Sequence, residues 1–125
     1  MAITQAFCTS AKVGLLKGLY DFTNGADVFN LALFRATASI VGTFGAGTTN
    51  YSDMGADDAS GTNYSAGGSA LTNVTPTSSG TTAYTDFADL VFANVTITTS
   101  GCLIYDTTVG NAAIGVFSFG GDKTA

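Results

Sequence analysis

The feature that most constrains the fold is a series of short apolar segments between residues 80 and 119. They are rich in Val, Ile, Thr, Tyr and Phe, and Asn, Asp and Gly interrupt them at short intervals. Strands favour the first group of residues and turns favour the second. The pattern predicts strands at 82–87, at 89–92 continuing through Val95 and Ile97, at 101–105 and at 112–119, with a turn over 106–111 closing the final hairpin.

Upstream segments add further elements. Apolar side chains at helical spacing, among them Phe7, Leu15 and Leu19, predict a helix over about 4–20. This helix is either docked on a sheet or an arm that binds a partner. Strands are predicted at 28–36 and 69–75, the second ending at Pro76, the only proline. Residues 38–44 fit either a weaker strand or a turn of helix.

The order of these elements predicts one domain over residues 1–125. We expect a mainly β fold, an antiparallel β-sandwich or jelly-roll-like domain with one short N-terminal helix. With 46% hydrophobic residues, the chain can bury a sizeable core. Residues 45–68 have little apolar periodicity and many turn formers, so they are interpreted as a long surface loop and a candidate contact site.

The charge composition limits the classes of partner. Only 10% of residues are charged, the formal net charge is −5, and four residues are basic. Binding to nucleic acid needs a cluster of basic side chains, which so few cannot supply, and an anionic membrane is disfavoured for the same reason. A weakly charged, apolar-rich surface favours assembly with other protein subunits.

Catalytic chemistry has little support in the sequence. The chain has no histidine, so the usual general base and the commonest metal ligand are missing. Asp53, Asp57 and Asp58 are interpreted as solvated turn residues, with a calcium loop as the alternative, and Asp86 and Asp89 as turn or strand-end residues. We therefore expect no enzyme activity, no catalytic residues, no cofactor and no bound metal.

Cys8 and Cys102 are far apart in the sequence. A disulfide between them would close a long loop, but no secretory signal precedes the first strand, so buried free thiols are favoured. If residue 1 is the native start, the chain is made in a cytoplasm.

Several motifs recur in one order along nearly the whole chain, and they resemble a family of small tailed-bacteriophage virion-associated proteins. The resemblance also implies a further strand after residue 124, and therefore a C-terminal truncation of this chain. The motifs are Met1-Ala-Ile-Thr-Gln-Ala-Phe-Cys, Leu15-Leu-Lys-Gly, Leu31-Ala-Leu-Phe, Gly61-Thr-Asn-Tyr-Ser-Ala-Gly-Gly, Leu71-Thr-Asn-Val-Thr-Pro, Thr85-Asp-Phe-Ala-Asp-Leu, Leu103-Ile-Tyr and Phe119-Gly-Gly-Asp-Lys-Thr.

The resemblance implies a structural protein of the virion, assembled in the host cytoplasm. We expect a capsid decoration or cement protein that bridges major capsid subunits. Its partners would be other virion proteins and copies of itself, with no nucleic acid, membrane or small-molecule substrate. The candidate contact residues are Phe7, Leu15, Leu16, Tyr51, Tyr64 and Tyr84.

Two alternatives remain open at this point. One is a tail or fibre adhesin in which Tyr51, Tyr64 and Tyr84 stack on host glycans, since aromatic faces suit sugars. These tyrosines could equally pack within their own domain. The other alternative is a subunit of an extracellular filament.

Overall fold

A computed structural model describes residues 3–125; Met1 and Ala2, which open the first motif, lie outside the described residues. The chain is mainly β, with 44% of residues in strands, and it forms two antiparallel sheets. This confirms the predicted fold class. The elements are β1 (Ala6–Phe7), α1 (Thr9–Leu16), β2 (Phe29–Arg35), β3 (Ser69–Ala70), β4 (Asn73–Ser79), β5 (Thr82–Phe87), β6 (Thr98–Asp106) and β7 (Ala112–Thr124), with 3-10 helices at Thr37–Ser39 and Tyr51–Asp57.

The two sheets differ in size. Five strands form the larger sheet in the order β1-β7-β6-β2-β3, and β4 and β5 form a separate two-stranded ribbon. The predicted final hairpin is present as β6 and β7, which turn over residues 107–111. Of the ribbon residues, only Asn73 is buried and only Phe87 is half-buried. The ribbon therefore projects from the domain with most of both faces in solvent.

Both faces of the larger sheet are covered. Alternate residues of β2 pack on opposite sides, with Phe34 in the larger core and Leu33 in the smaller one. The larger core includes Ala11 of α1 and buried side chains from residues 40–54, whereas the smaller one includes Tyr64 and Ile97. Because each face has its own cover, the long irregular segments of the chain lie on the sheet instead of extending away from it.

The predicted helix over about 4–20 is wrong in its extent. Helix α1 covers only eight residues, Thr9–Leu16, because Ala6 and Phe7 pair with β7 as strand β1. The helix ends in a Schellman motif in which Gly18 has φ +72° and the amide of Leu19 donates to the Gly14 carbonyl at 2.9 Å. Gly14 and Gly18 thus both take part in the end of the helix.

Three strand predictions also differ from the structure. Pro76 does not end a strand but lies inside β4, at a bulge between Val74 and Thr77 where no ladder donor is needed. The segment 89–97 is irregular instead of a strand, apart from a single bridge between Thr96 and Thr62. The polar tail continues β7 to Thr124.

Candidate interaction surface

An apolar groove lies between helix α1 and the ribbon. It has a volume of about 250 Å³ and includes three of the predicted contact residues, Phe7, Leu15 and Tyr84. Four further residues complete what we call the α1–ribbon groove, namely Phe22, Pro76, Ala83 and Thr85. Side chains from four separate parts of the chain thus form one continuous apolar surface.

The three predicted residues are held by different elements. Phe7 lies in β1 opposite Gly115 of β7, Leu15 lies in the last turn of α1, and Tyr84 lies opposite Thr77 on the ribbon. Their exposed fractions are 42%, 40% and 50%. Each is anchored by its backbone while about half of its side chain faces solvent, which is the arrangement of a preformed apolar contact site.

Leu16 lies beside this groove but not in it. Its side chain is 91% exposed, the most exposed large apolar residue of the described chain, and Val13 and Leu19 are about half exposed. Lys12 and Lys17 are exposed near them, and neither forms an ion pair within residues 3–125. The outer side of α1 therefore extends the apolar surface and carries two positive charges.

Tyr64 is buried and Tyr51 is half-buried, which fits the alternative that they pack within their own domain better than their predicted role as partner contacts. Tyr64 is only 8% exposed. Its hydroxyl donates to Asp58 Oδ1 at 2.8 Å, and the Tyr51 hydroxyl donates to Asp58 Oδ2 at 2.6 Å. The Tyr51 ring stacks on that of Tyr105 with centroids 4.6 Å apart. The sequence places both tyrosines in a turn-rich segment, but it does not show that their hydroxyls bind the carboxylate of Asp58.

Internal contacts also order the rest of segment 45–68. Asn50 and Asp53 form a capping box at the start of the 3-10 helix Tyr51–Asp57, and the Asn50 side chain donates to the Gly110 carbonyl at 2.9 Å. The amide of Gly67 donates to Asp58 Oδ2 at 2.7 Å. The hydroxyl of Tyr105 in β6 donates to the Gly67 carbonyl at 2.6 Å, so the segment predicted as a long surface loop is also bonded to the sheet.

The three clustered carboxylates serve separate structural roles. Asp53 caps the 3-10 helix, Asp57 forms an ion pair with Arg35 at 2.9 Å, and Asp58 accepts from two tyrosines. Their interpretation as solvated turn residues is wrong for Asp57, whose side chain is 2% exposed. Across residues 3–125, no three acidic or sulfur side chains are grouped so that they could hold a metal ion.

The two cysteines are free and buried, as favoured by the sequence. Burial raises the pKa of Cys102 to about 12. Burial and then the charge of Asp53 raise the pKa of Cys8 to about 11, against a smaller opposing effect of a backbone hydrogen bond. Neither thiol is therefore ionised near neutral pH, and neither has the properties of a nucleophile.

Sequence reasoning missed four of the groove residues. Phe22 lies just after the predicted helix over about 4–20, Pro76 lies at the predicted end of a strand, and Ala83 and Thr85 lie within a predicted strand. Nothing local in the sequence marks them as neighbours of Phe7, because the groove depends on the tertiary structure that places the ribbon beside α1. The signal that could have found them is the combination of an edge-strand proline with exposed apolar side chains.

Comparisons with protein-family models, with curated proteins and with solved structures each found no match to this chain. None of the helices in residues 3–125 is long and apolar enough to cross a bilayer. The fold and its surface therefore define a class only: a small, mainly β domain with an apolar contact surface between a helix and a projecting ribbon.

Proposed function

We propose that this chain is a structural virion protein of a tailed phage, a capsid decoration or cement protein that bridges major capsid subunits. The α1–ribbon groove is the observation that carries the proposal. It is apolar and half exposed, and four separate parts of the chain form it, so a neighbouring subunit could bury it without any rearrangement. Leu16 would extend the contact beyond the groove.

The low charge of the surface supports the same proposal. Only 10% of residues are charged, so a partner can cover broad areas without burying unpaired ions. Ordered subunit contacts of this kind rely on apolar area and shape. The motif resemblance to virion-associated proteins of tailed phages agrees with this interpretation and supplies the identity of the proposed partner.

The glycan-binding alternative has less support. It required Tyr51, Tyr64 and Tyr84 to present their rings to a sugar, and only Tyr84 has half of its side chain in solvent. The other two rings are packed and their hydroxyls are bound to Asp58. A single exposed tyrosine beside apolar side chains fits a protein partner better than a carbohydrate. No observation specifically favours a filament.

Binding to purified phage particles tests the proposal. Labelled protein is mixed with capsids, with isolated tails and with whole host cells, and the bound fraction is measured after sedimentation. We expect saturable binding to capsids only. Binding to tails or cells alone would contradict the cement function and favour the adhesin.

Two matched variants locate the contact. Leu15→Asp places a charge in the groove, and we expect capsid affinity to fall by about tenfold or more, because an unpaired charge would be buried. Val91→Asp is the control, since Val91 is 79% exposed and is not part of the groove. Equal loss from both variants would show that the groove is not the binding surface.

A further inference from the structure

Asp106, at the end of β6, is a buried carboxyl group with an unusual environment. Its side chain is 0% exposed. Oδ1 accepts from the amides of Thr108 at 2.9 Å and Val109 at 3.2 Å, which fixes the turn into β7. Oδ2 is buried and, within residues 3–125, receives no donor. Asp106 lies opposite Phe29 of β2, and the amide of Thr107 donates to the Val28 carbonyl, so the backbone places Asp27 next to Asp106 and the two carboxyl groups influence each other. Two ionised carboxylates cannot donate to each other, so this contact becomes a hydrogen bond only when one of them holds a proton.

The other titratable groups around this pair are all acidic. Tyr20 lies close enough to be influenced by Asp106, and its pKa is raised first by burial, then by Asp106 and by Cys8. The backbone amide of Asp21 donates to Asp27 Oδ2 at 3.1 Å, and its own carboxylate accepts from Thr23. Within residues 3–125, no basic side chain is paired with any of these groups. The donors that the described residues offer to this pair are backbone amides, namely those of Thr108, Val109 and Asp21.

The segment that carries Asp27 also holds the base of the ribbon. The Asn24 amide donates to Thr75 Oγ1 at 3.0 Å, and the Asn24 side chain donates to the Asn73 carbonyl at 2.7 Å. The Asn73 side chain in turn donates to the carbonyl of Asp27 at 2.8 Å. A direct chain of hydrogen bonds therefore leads from the Asp27 backbone to β4.

On the body side, the same segment is bonded to the turn after β6. The amide of Thr107 donates to the Val28 carbonyl at 2.9 Å, and the amide of Val28 donates to Thr108 Oγ1 at 2.9 Å. Asp27 and Asp106 thus lie at the junction between the body and the ribbon. Repulsion between their carboxylates would act on the loop that positions the ribbon.

We propose that Asp27 and Asp106 form a proton-operated latch, in which one shared proton fixes the ribbon to the body and its loss loosens the ribbon. The latch concerns the domain alone and does not depend on which partner occupies the groove. Because the ribbon supplies one wall of that groove, the state of the latch sets the geometry of the contact surface.

The direction of the pH effect follows from the raised pKa of Asp106. Burial first, and then the neighbouring Asp27, raise it to about 7, against smaller opposing effects of the Val109 and Thr108 amides. The unfolded chain has an ordinary aspartate pKa, so the stabilising proton is fully bound in the folded state at acidic pH. It is lost as the pH rises through about 7. The latch is therefore closed in acid and loosened in mild alkali.

Hydrogen exchange of the ribbon amides tests the latch. Protection factors for residues 73–87 are measured at about pH 5.5 and about pH 8.5, each corrected for the intrinsic exchange rate. We expect the wild-type protection of the ribbon to fall by about tenfold or more at the higher pH, while the central strands β2 and β6 change less. Equal ribbon protection at the two pH values would overturn the proposal.

Asp106→Asn tests whether the proton, and not the shape of the side chain, fixes the ribbon. An asparagine keeps an Oδ1 acceptor for the turn and offers an N–H to Asp27 at every pH. We expect its ribbon protection to be high and independent of pH. Asp27→Asn removes the other carboxylate and is expected to behave alike, so the proposal stays testable if one variant fails to fold. Asp89→Asn, an exposed carboxylate, is the control and should keep the wild-type pH dependence.

A cation could in principle take the place of the proton, and the same experiment distinguishes the two. Calcium or magnesium chloride is added to the wild-type protein at about pH 8.5, with sodium chloride at matched ionic strength as the reference. We expect neither divalent ion to restore ribbon protection. Restoration by a divalent ion alone would overturn the proton latch and identify the pair as a cation site.

Discussion

The phenol of Tyr64 joins Asp58 to strand β2: it donates to Asp58 Oδ1 at 2.8 Å and accepts from the amide of Leu33 at 2.8 Å. Leu33 is in β2, whose outer edge is paired with β3 only at Asn30 and Leu31. Tyr64 therefore satisfies an amide at the sheet edge beyond β3, where the Ala59 amide also donates to the Leu33 carbonyl at 2.8 Å, and it fixes Asp58 by the same hydroxyl. The tyrosine side chain and the bridge between Phe34 and Asp58 together cover this part of the edge.

Removing that hydroxyl should destabilise the domain. Tyr64→Phe leaves the buried amide of Leu33 without an acceptor and deprives Asp58 of one donor, so we expect a loss of about 1–3 kcal/mol in the free energy of unfolding. Tyr84→Phe is the matched control, because the Tyr84 side chain is 50% exposed. Urea denaturation of the three proteins measures the difference. Equal midpoints for wild type and Tyr64→Phe would show that the two hydrogen bonds contribute nothing net.

Gly68 is the position in segment 45–68 where a side chain would be least tolerated. Its φ is +75°, and a Cβ there would overlap the backbone carbonyl of Leu31 in β2. Because the obstacle is main chain, no rotamer change relieves it, and we expect Gly68→Ala to lower the free energy of unfolding by about 2 kcal/mol or more.

Gly47→Ala is the control for this prediction. A Cβ at Gly47 meets no atom within 4 Å. The backbone there is not left-handed, so this substitution should be neutral or slightly stabilising. Thermal unfolding by circular dichroism compares the two variants. A melting temperature of Gly68→Ala at or above that of Gly47→Ala would contradict the close approach of the two backbones.

The alternation of apolar and polar side chains and the β-favouring residue types were enough to predict several strands. The prediction for β5, 82–87, agrees with the structure, and β2 and β6 lie at the predicted places. The failures are residues whose structure depends on distant partners. Thr124 is in a strand because it pairs with Thr98, and their hydroxyls lie 2.9 Å apart. A polar tail carries no local signal of that pairing.

The strand predicted over 89–97 is wrong for the opposite reason. Its apolar residues resemble a strand, yet Phe92 and Val95 pack on the smaller core as irregular chain, and Asn94 has φ +55°. Burial alone selects apolar residues, and it does not require a ladder. The candidate site shows the same division: exposed apolar side chains were identifiable singly, whereas their convergence on one groove depends on tertiary structure.

The thiols should be inert in the folded state. Burial raises the pKa of Cys102 to about 12, and Cys8 lies at about 11. At neutral pH the thiolate fraction is then very small, so we expect both to react with an aromatic disulfide reagent about a hundredfold or more slowly than an unfolded thiol. Both should react in urea. Rapid reaction of one thiol without denaturant would contradict this, and Cys8→Ala would show which one is involved.

Asp57 should stabilise the fold in a way that acid removes. Burial acts to raise its pKa, but the amides of Val41 and Gly42 and the guanidinium of Arg35 together outweigh that effect, so the pKa lies below its ordinary value. A carboxyl group whose folded-state pKa is lowered binds fewer protons folded than unfolded. Its contribution is therefore fully present above about pH 4 and is lost as the pH falls through the folded-state pKa.

Asp57→Asn tests the predicted direction of this pH dependence. The amide group cannot accept from all four donors that reach Asp57, and it leaves Arg35 without a counter-ion, so we expect a loss of about 2–4 kcal/mol at neutral pH. The difference from wild type should shrink toward about pH 2, where the wild-type carboxyl is also neutral. Asp89→Asn, at an exposed position, should follow the wild-type curve throughout. A destabilisation by Asp57→Asn that stayed constant from neutral pH to acid would mean that the shape of the aspartate side chain, and not its charge, accounts for its contribution to stability.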